Sequence, residues 1–190
     1  WAAPAFSVSF FRPVTSFSLR LDYWIFRDWA PGYHVTSLVL FTIFLVLVYR
    51  LYVRLDLPPR AALWALAVVA LNQAHTLPVE WIASRNTLLA AVFTVATLLG
   101  LLGWRRTGRP TSAVLAVVCF LLASGSKESG LVVIPLAVLE LLLGGPDARC
   151  DFRVVAARLR RDPLVWSLVA MAAAWLAFYI LSGYGAHSDM

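Results

Sequence analysis

Apolar residues run through this chain in long blocks, and its polar residues collect at the seams between them. A helix that crosses a bilayer needs about 20 mostly apolar residues. Six blocks meet or approach that requirement: Val35 to Val53, Ala61 to Ala74, Thr87 to Trp104, Ser112 to Ser124, Gly130 to Leu143, and Leu164 to Ser182. The second, fourth and fifth are short. For the second and fourth, the deficit is offset if each helix continues into the polar segment after it, where the backbone can face protein or a wet cavity. The pattern therefore predicts an all-α fold, a polytopic transmembrane helix bundle of about six spans.

The first 33 residues break this pattern. Aromatics and charges alternate through FFRPVTSFSLRLDYWIFRDWAPGYH. Pro13 suits the first position of a helix, and Trp24, Phe26, Trp29 and Tyr33 suit the headgroup layer. An amphipathic helix lying on the outer surface is expected there. The chain then divides into an interfacial segment at 1–33, a core of five spans at 34–143, a basic cytoplasmic connection at 144–163, and a sixth span with an outer tail at 164–190. Within the connection, Gly-Gly-Pro followed by VVAARLRR predicts a short basic surface helix on anionic lipid. No internal repeat or low-complexity tract interrupts the order.

Composition agrees with a membrane solvent. The 190 residues are 61% hydrophobic, with a mean hydropathy of +0.79, against about 45–50% apolar residues in a soluble domain. The net charge of +6 and pI of about 9.9 would fit nucleic acid only if the cations formed a continuous face. They form short clusters instead, so nucleic acid is not an expected partner and membrane lipids are. By alternate connections, one side receives Arg50, Arg54, Arg60, Arg105, Arg106, Arg109, Arg149, Arg153, Arg158, Arg160 and Arg161. The other receives Arg12, Arg20, Arg27, Arg85 and Lys127. Cationic loops are retained in the cytoplasm, so the N-terminal segment, the HTLPVEWIASR loop, the SGSKESG loop and the C-terminus are expected outside. Cys119 in an apolar block and Cys150 in an Arg-rich connection fall at different depths and should not pair, so cysteine says nothing of redox compartment. No signal peptide is legible in WAAPAFSVSFF, and the opening Trp1 is what a fragment would show.

Ionisable groups at the ends of membrane helices are costly unless solvated or paired. The outer face gathers Arg12, His34, His75, Glu80, Arg85, Lys127 and Glu128 from distant parts of the chain. Cations so placed suit a phosphate; carboxylates suit a hydroxyl or orient the cations. Each also has a plainer reading. His75 could cap a helix end, Arg85 and Glu80 could form a surface ion pair, Lys127 and Glu128 could solvate a turn, and Arg12 could anchor a helix to lipid. Glu140, near the cytoplasmic end of the fifth span, suits snorkelling or a helix contact. No CxxC, HExxH or Gly-rich phosphate loop is present.

The order of these pieces resembles a family. Arg12-Pro13-Val14-Thr15, then Gly32-Tyr33-His34-Val35-Thr36, then His75 with Trp81-Ile82 and Arg85, then Ser126-Lys127-Glu128-Ser129-Gly130 with Pro135 are similar to four motifs of one group. That group is the transmembrane tetratricopeptide-repeat O-mannosyltransferases and their bacterial relatives, within the GT-C class of polyprenyl-phosphate-sugar glycosyltransferases. The resemblance covers about Phe10 to Leu143. Departures from the family pattern are Asn72-Gln73 for His-Pro, Leu77 for Glu, Ser37 for Asn, and Thr87 for the acidic residue after the Arg. Glu80, three residues beyond Leu77, could stand in for the missing carboxylate.

What the resemblance implies is a GT-C-like bundle that moves a sugar, in the family mannose, from a polyprenyl-phosphate donor to an acceptor hydroxyl of a protein or glycan. Arg12, His75, Arg85 and Lys127 would bind the donor phosphate; His34, Glu80 and Glu128 would orient them or the acceptor. The acidic motif that supplies the family's catalytic base is expected upstream of Trp1, so no catalytic residue is assigned here. Cofactors are unassigned, and a divalent metal stays open. The expected location is a bacterial inner membrane with the active face periplasmic or extracellular. Two other classes stay open, a noncatalytic scaffold derived from such an enzyme and a secondary transporter; the latter would usually carry pseudo-symmetric halves, which are not evident.

Overall fold

The protein is seen in a computed structural model that describes residues 6–143, 157 and 159–188. A strand β1 (Phe6–Ser9) leads into α1 (Pro13–Phe26), α2 (Ala30–Arg54) and α3 (Pro59–Ala70). A 3-10 turn (Gln73–His75), the short α4 (Thr76–Glu80) and a second 3-10 turn (Ile82–Ser84) follow. Then come α5 (Arg85–Thr107), α6 (Pro110–Ser126), a 3-10 helix (Glu128–Val132), α7 (Val133–Leu143), α8 (Pro163–Leu181) and β2 (Gly185–Ser188). The basic connection and Cys150 lie largely outside the described residues.

Among the described residues the regular structure is helical apart from one antiparallel pairing, which joins Phe6 to Ser188 and Ser9 to Gly185. That pairing brings the segment before α1 and the segment after α8 to one side of the bundle.

Each apolar block is largely helical, but among the described residues three helices are long and apolar enough to cross a bilayer: α2, the stretch Ile82–Thr107 that contains α5, and α8. A fourth is reached if α3 and the following Gln73–Glu80 segment, bent by 55°, form one broken span. The six expected spans thus reduce to three or four by length. The cause lies in the polar seams. Asn72 leaves the helical region and its side chain accepts from the Ala74 N–H, starting a new turn where α3 was expected to continue. Lys127 is extended (φ −160°, ψ 149°), so α6 stops after 17 residues, about 25 Å of rise against a hydrocarbon core of about 30 Å.

α5 is the axis of the fold. Its apolar window is 67% buried, against 17% for α2 and α8. One cluster packs Leu101 of α5 with Ala116 and Phe120 of α6, Val133 and Ala137 of α7, and Leu168 of α8. A second packs Leu88, Val92 and Val95 of α5 with Phe44 and Val48 of α2. The α5–α6 contact needs a glycine, because a Cβ on Gly100 would lie 2.8 Å from the Ala116 nitrogen. Gly130 is similarly confined, 2.5 Å from the Ala123 carbonyl carbon, so the Lys127–Gly130 turn folds tightly back on the end of α6.

α1 is polar inward and apolar outward. Thr15 and Asp22 are buried while Phe17, Trp24 and Ile25 are exposed. A helix on a water-soluble protein would have these faces reversed. At the opposite, arginine-rich end, Arg105 bridges Glu140 and Asp162, whose carboxylate oxygen is 2.8 Å away. Glu140 therefore makes a helix contact between α7 and α5. Arg106 there reaches the Asp56 carboxylate at 2.7 Å and the Arg54 carbonyl.

Candidate functional site

Pro13 occupies the first turn of α1, where its fixed φ is favourable and its missing N–H costs nothing. Arg12 is thereby held at the helix entry, its carbonyl accepting from the Ser16 N–H at 3.0 Å and the Ser16 hydroxyl at 3.1 Å. Thr15, one turn in, donates its hydroxyl to the Ser126 carbonyl at 3.0 Å. This bond ties the start of α1 to the end of α6 and sets Arg12 against the Lys127–Gly130 turn. The Arg12 guanidinium donates to Glu128 Oε2 at 3.0 Å and lies over the Phe10 ring, 4.0 Å from its centroid. The other oxygen of Glu128 accepts from the Tyr179 hydroxyl of α8 at 3.2 Å. Lys127 donates to the Thr87 hydroxyl of α5 at 2.8 Å.

Segments 116 and 51 residues apart in sequence therefore meet at Glu128. Burial of this carboxyl opposes its ionisation. The Arg12 hydrogen bond, the backbone N–H, the Arg12 charge and the Tyr179 hydroxyl outweigh that, and Glu128 titrates below its ordinary 4.5. Arg12 keeps a donor in reserve, because its Nε is buried and has no hydrogen-bond partner among the described residues.

A depressed carboxylate stabilises the fold above its unfolded value and loses that contribution as pH falls through the folded value. Glu128→Gln should therefore lower the unfolding temperature of the detergent-solubilised protein at neutral pH, and the gap from wild type should close below pH 4.5. A gap that stays constant with pH would show that the ion pair adds nothing.

A second cluster is fully enclosed. Arg85 at the start of α5 donates to the Asp22 carboxylate of α1, to the Tyr33 carbonyl of α2 at 2.7 Å and to the Ser37 hydroxyl at 3.4 Å. The Arg85 side chain is 0% exposed and that of Asp22 5%. The second Asp22 oxygen accepts from the Thr36 hydroxyl at 3.0 Å. One guanidinium thus fastens three helices together.

Of the residues singled out in the sequence, Arg12 and Glu128 touch, Lys127 adjoins them, and Arg85 is locked beneath with Asp22. His75 packs against both Phe41 and Phe44 of α2, at centroid distances of 5.4 and 5.5 Å. His34 and Glu80 are exposed, and among the described residues no hydrogen bond or ion pair joins either to the cluster. The surface pair that is the plainer alternative for Glu80 and Arg85 does not form, because Arg85 is turned inward to Asp22. Sequence reasoning missed Asp22, Tyr179 and Thr87 as partners. Asp22 carried a usable signal, a lone acid seven residues from Thr15 and so on the same helical face, amid aromatic residues. Tyr179 carried none, lying on an apolar helix beyond the resembling stretch.

Among the described residues no three His, Cys, Asp or Glu side chains gather as metal ligands. A cavity of about 350 Å³ lies elsewhere, at the arginine-rich end, lined by Leu51, Leu98, Leu101 and Leu136 with the paired Arg105 and Glu140. Its two charges neutralise each other, and it shares no residue with the Arg12–Glu128 cluster.

No protein-family model matches the chain, and no solved structure matches it. The chain is similar to protein O-mannosyl-transferase F38B6.6 of Caenorhabditis elegans, with 30% identity over 145 residues, 75% of this chain and 20% of that protein. It is also similar to protein O-mannosyl-transferase TMTC4 of Homo sapiens and of Mus musculus, each 28% identical over 71% of this chain and 21% of the relative. The chain spans about a fifth of the length of these relatives. Several apolar helices and transferase relatives agree in describing a membrane protein, and over about three quarters of its length the chain is similar to proteins named protein O-mannosyl-transferase.

Proposed function

We propose that this chain is part of the membrane core of a GT-C glycosyltransferase. It would take a sugar from a polyprenyl-phosphate donor and pass it to an acceptor hydroxyl on the non-cytoplasmic face, which in a bacterium is the periplasmic side. The observation that carries this reading is the buried, unpartnered Nε of Arg12 beside the ion pair with Glu128. A buried donor left without an acceptor is costly, and a phosphate oxygen satisfies it. Lys127 adds a second cation in the next turn of chain. Glu128 has both oxygens engaged and orients Arg12. Arg85 also has an Nε without a partner among the described residues, but its side chain is 0% exposed where that of Arg12 is 21%, so it holds the frame instead of contacting donor.

In the inverting displacement that the family resemblance implies, the acceptor oxygen attacks the anomeric carbon and its proton goes to a base. The bond from that carbon to the phosphate oxygen breaks, and the lipid phosphate leaves with the electron pair. Preorganised cations oppose the charge that grows on the phosphate. Orientation rests on the arginine count, with the Arg105 and Arg106 end cytoplasmic.

Binding of a polyprenyl monophosphate to the complete protein in nanodiscs tests this. Arg12→Ala should weaken it about tenfold or more, as expected for loss of a charge-assisted hydrogen bond. Arg12→Lys should recover part of the affinity. Unchanged affinity in Arg12→Ala would remove the phosphate site.

A further inference from the structure

Tyr179 lies on α8, outside the four motifs, and yet its hydroxyl ends on the carboxylate that holds Arg12. It is one of the few buried residues of that helix, stacked on Trp175 at 5.0 Å and tilted against Tyr184 at 5.5 Å. The Tyr184 ring in turn meets Phe11, next to Arg12, at 5.4 Å. The β1–β2 pairing closes the same corner from the backbone side. The aromatic cluster limits where the phenol oxygen can be, since a ring packed against two others has few rotamers left.

Both Glu128 oxygens are then spoken for by different elements, Oε2 by Arg12 and Oε1 by Tyr179. Without the Tyr179 bond the carboxylate could rotate about its last torsion, and the guanidinium would follow it. A displacement of about 1 Å in a catalytic group costs on the order of 10²-fold in rate, so a clamp on Glu128 has a direct consequence for Arg12.

We propose that Tyr179 is a positioning residue of the transfer site, acting through Glu128 to aim Arg12 at the donor phosphate, so that α8 completes a site whose motifs all lie before it. This rests on the phosphate-site reading above.

The test uses the complete protein, with donor turnover and polyprenyl monophosphate affinity measured side by side. Tyr179→Phe keeps both ring contacts and removes one hydrogen bond to a charged group. It should lower kcat about tenfold while changing affinity for the monophosphate by no more than about twofold, because Arg12 stays bonded to the other oxygen. Glu128→Gln should lower kcat as well, and the double variant Glu128→Gln/Tyr179→Phe should be no worse than Glu128→Gln alone, since the tyrosine acts only through the carboxylate. Wild-type kcat in Tyr179→Phe, or full additivity in the double variant, overturns the role of Tyr179 while a defect in Arg12→Ala leaves the phosphate site standing. Unchanged monophosphate affinity in Arg12→Ala overturns the phosphate site, and the tyrosine proposal with it.

Discussion

Lys127→Ala in the complete protein should reduce glycosyl transfer from a polyprenyl-phosphate sugar by about 10²–10³, the usual cost of losing one preorganised group that stabilises developing charge. The magnitude follows from where the lysine is held. Its backbone is extended between two helices, and its ammonium is tethered to the Thr87 hydroxyl at 2.8 Å, which leaves two of its three donors for an incoming anion. A lysine on a free surface would have to be ordered by the substrate; this one is ordered by α5. Lys127→Arg should keep part of the activity if the group acts as a point charge. Thr87→Ala should cost less than Lys127→Ala, because it loosens the charge without removing it. The measurement is initial transfer rate at saturating donor, with membrane-inserted protein quantified in parallel. A wild-type rate for Lys127→Ala at normal expression would make the residue an interfacial anchor and favour a scaffold over an enzyme.

The second large effect concerns stability. Asp22→Ala should destabilise the fold by about 3–5 kcal/mol, because it leaves Arg85 as an uncompensated charge in an enclosed site. Arg85 is 0% exposed, so water cannot replace the lost carboxylate without opening the α1–α2–α5 junction. The Tyr33 carbonyl and Ser37 hydroxyl remain as acceptors but carry no full charge. Removing both charges should be far milder. Asp22→Ala/Arg85→Met should recover much of the loss, since an apolar pair of similar bulk avoids the desolvation cost altogether. Thermal unfolding in detergent and the yield of folded protein check this. Equal unfolding temperatures for Asp22→Ala and wild type would mean that the pair contributes nothing to the junction. Arg85→Lys should also be harmful, because one ammonium cannot reach acceptors on both α1 and α2 as a planar guanidinium does.

These two experiments separate roles that look alike in the sequence. Arg85 and Lys127 are both cations at the ends of apolar blocks, and the family resemblance suggests the same task for both. Their surroundings differ. Lys127 is part-exposed with one neutral partner, whereas Arg85 is sealed with an acid. Loss of Lys127 should thus appear in rate with little change in stability, and loss of Asp22 should appear in stability first.

The helices themselves were legible in the sequence, because a bilayer forces each crossing backbone to satisfy its own hydrogen bonds, and that is a local requirement written in apolar runs. The blocks at Val35–Val53, Thr87–Trp104 and Leu164–Ser182 became α2, α5 and α8 with ends moved by a few residues. The block Ser112–Ser124 became a helix too short to cross by its length, since its seam holds an extended lysine that apolar counting ignores. The meeting of Arg12 with Glu128 could be suspected from charges gathered at one end, but not its geometry. Which charge is sealed and which is free was decided only in three dimensions. The Asp22–Arg85 pair spans 63 residues and the Tyr179–Glu128 bond 51, and each exists because packing around α5 fixes the rotation of neighbouring helices. No periodicity along one helix encodes the rotation of another, so the identity of the partners is a property of the packed bundle.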